Sequence, residues 1–123
     1  MDFDITSSKD GDVLFVSFSG WSTVQNAHAM TRRYFEIVLG SDLKKVLVDI
    51  RRLRGRLSAD EAYLLVRDLP VTPIPEGIKT ALLETEGRRK FAHFLETTSQ
   101  DAGVRDFRCF SDREQALAWL RSP

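Results

Sequence analysis

The sequence predicts an α/β fold: a mostly parallel sheet with one antiparallel strand at its start and four flanking helices. Two observations carry that expectation. Two apolar runs surround an Asp10-Gly11 turn, and after them short apolar runs alternate strictly with helix-period segments. The length of 123 residues is that of a single domain, 1–123. A composition of 42% hydrophobic and 29% charged residues gives it material for a core without a metal or disulfide staple.

The elements follow in order. "FDIT" at 3–6 and "VLFVSFS" at 13–19 are rich in β-branched and aromatic residues and read as a hairpin, with a connection longer than the tightest kind. A first helix is expected from Ser22 to Gly40. Ser22 and Gln25 have the spacing of a capping box, and Ala27, Met30, Tyr34, Ile37 and Val38 recur at helical period. "VLVDI" at 46–50 is nearly continuous in apolar residues, as a strand covered on both faces would be. Ser58 and Glu61 form a second capping box at the head of a helix over 58–69. Pro70, Pro73 and Pro75 then enforce an extended connection. "IKTALLE" at 78–84 is the next strand. A third helix with a stripe of Phe91, Phe94, Leu95, Thr98 and Ala102 ends at Gly103. "FRCF" at 107–110 closes the sheet, and a last helix spans 111–120, with Ser111 and Glu114 as its box.

Charge and motifs bound the function. The 18 basic and 18 acidic residues cancel, so no long-range field draws the chain to nucleic acid or anionic lipid, and nucleic acid is not an expected partner. The single cysteine, Cys109, allows no internal disulfide. "MDFDITSSKDGD" has no signal-peptide pattern, and no apolar run has the length of a membrane span, so neither membrane insertion nor export is expected and the location reads as cytoplasmic. There is no G-x-G-x-x-G, Walker loop, G-x-S-x-G or CxxC, and the two histidines, His28 and His93, fall on different helices without ligand spacing. No enzyme activity, cofactor or metal is expected. Cys109, between phenylalanines, reads as a buried small hydrophobe.

The densest chemistry lies where the third strand meets the second helix. Asp49 ends the apolar run, and Arg51, Arg52, Arg54 and Arg56 crowd the connection before Ser58. Such strand ends are where parallel α/β sheets take ligands. The arginines offer bidentate recognition of carboxylate or phosphate, against the plainer reading of a solvated loop. Ser58 reads as an N-cap, with a phosphorylation site as its functional alternative. Asp49 is expected to pair with an arginine. Trp21, in the loop after Gly20, either staples the first helix or anchors a partner. Arg88, Arg89 and Lys90 stand at a helix start, against the dipole, which hints at an anion or partner contact beside the plain reading of a solvated face.

The element order, with "KKVLVDIRRL" at 44–53 and "FRCFSDREQALAWL" at 107–120, resembles the STAS domain, in particular the SpoIIAA-like STAS/SEC14 group of small bacterial proteins. The resemblance implies a regulatory module that binds a partner protein, with homodimerisation compatible. In anti-sigma-factor antagonists a D-S-S-G-type segment at a helix start is phosphorylated. Here Leu57-Ser58-Ala59-Asp60 stands at that place, and Ser58 alone matches. Two functions are carried forward. The first is a non-enzymatic module binding a partner protein or small anion around Asp49–Ser58. The second is a SEC14-like pocket for a small apolar ligand, lidded by 70–77, or a cryptic enzyme.

Overall fold

The computed structural model describes residues 2–68, 77–101 and 106–123. Its elements are β1 (Phe3–Asp10), β2 (Val13–Trp21), α1 (Ala27–Leu39), β3 (Lys45–Arg54), α2 (Ala59–Asp68), β4 (Lys79–Leu83), α3 (Arg89–Asp101), β5 (Phe107–Phe110) and α4 (Arg113–Leu120). A 3-10 turn, Glu86–Arg88, leads into α3. The sheet order is β1-β2-β3-β4-β5, with β1 antiparallel to β2 and the other neighbours parallel. The predicted fold class is the observed one.

A strand order that simply follows the chain has a consequence. Right-handed crossovers that always step the same way leave their helices on one face of the sheet. Met30 and Val38 of α1, with Phe91 and Leu95 of α3, accordingly pack on Leu14, Val16, Phe18, Val46, Val48, Ile50 and Leu82. Among the described residues the other face is covered by α4. Ala116 and Leu120 of α4 are fully buried against Val13, Leu47, Ala81 and Leu83. Every inward position of β3 and β4 therefore meets apolar neighbours, which is why "VLVDI" and "TALL" read as continuous apolar runs.

The hairpin is tighter than the sequence implied. Asp10 pairs with Val13 across Gly11 and Asp12, and Gly11 has φ +60° while no described non-glycine residue has positive φ. That is the pattern of a type II′ two-residue turn, whose twist suits a hairpin. β1 runs on through Ser7, Ser8 and Lys9, whose exposed polar side chains hide strand character from an apolar pattern. At the other end Gly20, at φ +85°, lies against the β1 backbone: a Cβ there would stand 2.5 Å from the Asp2 carbonyl oxygen.

Helix starts depart from expectation at two of three places. α1 begins at Ala27, not near Ser22. Thr23 and Asn26 instead bond each other's backbone N–H groups, and the Asn26 amide donates to the Trp21 carbonyl at 2.7 Å. α4 is capped by Asp112, which accepts from the Gln115 N–H, rather than by Ser111. At α4 a side chain nearer the helix takes the cap, whereas at α1 the N-cap Asn26 makes no side-chain bond to the helix amides and closes a turn with Thr23 instead. The Ser58–Glu61 box forms as expected, with reciprocal bonds of 2.9 and 3.2 Å. Residues 70–76 of the lid expected over 70–77, and Ala102 and Gly103, lie outside the described residues.

Candidate functional site

The arginines expected in a loop are mostly strand residues. β3 continues to Arg54, so Arg51, Arg52 and Arg54 belong to it and only Arg56 lies in the connection. The reason is a bulge. Ser17 pairs with Asp49 but Ser19 pairs with Arg52, so β3 fits one more residue than β2 into this step. Val46, Val48 and Ile50 point inward at even numbers, and Leu53 points inward at an odd one. Arg52 and Arg54 therefore project from the opposite face, the one that α4 covers only in part.

Asp49 and Arg51 form a bidentate pair at 2.9 and 3.1 Å, and the Arg51 N–H also donates to Asp49 at 3.0 Å. Burial raises the cost of the Asp49 charge, but the Arg51 hydrogen bonds and the charges of Arg51 and Arg52 outweigh it and hold the carboxyl below its ordinary range. The expected pairing is present, and it occupies Arg51. Arg52 and Arg54 are exposed and have no carboxylate partner among the described residues. Trp21 neighbours Arg54 in the parallel register, with the guanidinium 5.8 Å from the ring centroid. Trp21 is 39% exposed. Ser17 and Ser19 lie beside Asp49 and Arg52, and Thr6 and Asp4 flank them on β1.

Arg56 and Ser58 do not join this patch. Arg56 turns into the protein and binds Glu84 at 2.9 and 3.0 Å, while its other donors reach the carbonyls of Ile50, Leu53 and Gly55. The Arg56 and Glu84 side chains are 9% and 1% exposed. The pair ties the end of β3 to the end of β4, and one Glu84 oxygen also accepts the Thr85 N–H. Arg56 is thus neither a free anion ligand nor available to a phosphate on Ser58. Ser58 is exposed at the start of α2, engaged in its cap. Glu84 was missed because nothing near it in sequence marks a partner 28 residues away.

Two concavities lie against the helix-covered parts of the sheet. One, about 290 Å3, opens beyond β4 and β5 and is lined by Glu86, Arg89, His93, Glu96, Ser111 and Gln115. Its charges pair among themselves, Arg89 with Glu86 at 3.7 Å and His93 near Glu96 at 3.9 Å. Arg89 thus serves a surface pair at the helix start, with Arg88 in the preceding 3-10 turn. Cys109 at the edge of this space is half-buried rather than fully buried as expected; it donates to the Ala92 carbonyl at 2.9 Å, and burial pushes its thiol up to about 12, which disfavours the thiolate. The other, about 260 Å3, lies between the sheet and α1, α2 and α3, lined by Phe18, Met30, Tyr34, Leu82, Phe91 and Leu95 among others. No cluster of three or more metal-ligating side chains occurs among the described residues. No described helix is long and apolar enough to cross a membrane.

No protein-family model and no curated protein matches the chain. Solved structures do. An anti-sigma factor antagonist from Mycobacterium paratuberculosis superimposes with a TM-score of 0.67 at 15% identity, over 98% of this chain and 96% of its own. An uncharacterised DUF3478-family protein with a SpoIIAA-like fold, from Shewanella loihica PV-4, gives 0.59 at 22% identity, over 96% and 93%. The chain has the SpoIIAA-like, STAS-type fold.

Proposed function

We propose that the protein is a non-enzymatic regulatory module that binds an acidic partner protein, or a small anion, on the sheet surface of Trp21, Arg52 and Arg54. The observation that carries this reading is two exposed arginines without carboxylate partners among the described residues, beside an exposed tryptophan, in a chain of zero net charge. The fold shared with an anti-sigma factor antagonist supports a regulatory role. Native mass spectrometry of gently isolated protein tests it. A co-purifying protein or retained anion is expected, and is lost in Trp21→Ala/Arg52→Glu/Arg54→Glu. Retention by that variant, or nothing bound to either protein, defeats the proposal. A phosphoryl mass on Ser58 would add a switch. Without one, Ser58→Ala costs only its cap, about 1 kcal/mol.

The cavity under α1, α2 and α3 favours a second reading, a site for a small apolar ligand. At about 260 Å3 it holds a fragment rather than a whole lipid. A retained non-covalent mass that survives the triple substitution would select it.

A further inference from the structure

Resting on the proposed acidic-partner reading, we propose that the occupant of the open sheet surface is a short extended segment of a partner protein with carboxylates two residues apart. Arg52 and Arg54 occupy alternate positions of β3, so their attachment points stand ~7 Å apart along the strand. An extended segment repeats its own same-side residues at the same interval, so an acid-x-acid pair meets both guanidiniums in register. The Trp21 ring holds the Arg54 guanidinium from one side, so part of the ordering cost is met before binding. The rest of the exposed indole offers an apolar contact to a side chain beside the acids.

The neighbourhood limits the charge of the occupant. Asp49 has its cation in Arg51, so the positive surplus at this end of the face is Arg52 and Arg54, with Arg113 of α4 stacked on Phe15 further along β2. Asp4, exposed opposite Ser19, lies across β2 from Arg52. A continuous polyanion crossing the sheet would lay one of its charges against Asp4. A segment aligned with β3 instead keeps its two acids over Arg54 and Arg52, with the Ser19 hydroxyl beside Arg52 on the neighbouring strand. These features favour a protein segment over a nucleic acid.

Titration of the full chain with blocked octapeptides, followed by NMR at the Trp21 indole N–H and the Arg52 and Arg54 Nε–H, tests the proposal. A Glu-x-Glu peptide with a neighbouring Leu is expected to bind about tenfold more tightly than its Gln-x-Gln counterpart and more tightly than an adjacent Glu-Glu isomer. Binding should weaken with added salt and vanish in Arg52→Gln/Arg54→Gln. Both residues are exposed, and an unchanged amide spectrum would show that this variant folds. Equal affinity for the adjacent and alternate isomers, with shifts still at the patch, overturns the extended segment and leaves the acidic-partner reading standing. Tighter binding of a short oligonucleotide at the same resonances replaces the protein segment with a nucleic acid. No shift at the patch with any acidic peptide, or with inorganic phosphate, overturns both.

Discussion

Arg56 and Glu84 are the most buried ion pair among the described residues, and a charge left alone at that depth has no water to turn to. Arg56→Ala is expected to destabilise by about 3–5 kcal/mol, since it strands a buried carboxylate and removes the donor to three carbonyls. The paired replacement Arg56→Met/Glu84→Leu should cost much less, and urea unfolding of the two variants separates the cases. Asp49 carries the acid dependence on the open face. Its pKa is depressed on folding, so its contribution is present above the unfolded value of 3.8 and lost as pH falls through the folded value. Asp49→Asn should therefore be less stable than the parent near neutrality and approach it in acid, as denaturant midpoints across that range would record. The Asp49–Arg51 pair was legible because its partners are two residues apart. The Arg56–Glu84 pair was not, because only the sheet brings residues 56 and 84 together.

At the scale of elements, periodicity revealed type and order, and it failed where a local rule was broken. Leu53 continues the inward face of β3 only after the bulge has used up one residue, so four arginines around one leucine look like a loop. Ser7 to Lys9 are strand without apolar alternation, because this part of β1 is exposed. Two of the three capping boxes were spacing without geometry, since Asn26 and Asp112 stand closer to the helix starts that form. α4 illustrates how much a short element can bear. It has eight residues and is the main cover of its face. Leu120 is fully buried there, and Leu120→Ala should cost about 2–5 kcal/mol in calorimetry or chemical unfolding, at the upper end if Val13 and Leu83 fail to close the gap.

Across the whole molecule, order is expected to be graded from the centre of the sheet outward. β3 lies between two parallel neighbours and holds three fully or nearly fully buried residues in succession, Val46, Leu47 and Val48. β1 is an edge strand with a mostly exposed second half. Hydrogen exchange should find the slowest amides in β3 and β4 and markedly faster exchange in Ser7 to Lys9, whereas uniform protection would contradict this gradient. The two faces of the sheet differ in a further way. Side chains packed under α1, α2 and α3 answer to many neighbours at once, and a change in one asks for compensation in others. Asp4, Thr6, Arg52 and Arg54 are exposed and Ser17 and Ser19 half-buried, so fewer packed neighbours constrain these six. Descendants of this chain could rewrite those six positions with little effect on the core beneath, so the plan lets a lineage exchange one acquaintance for another while inheriting the same interior.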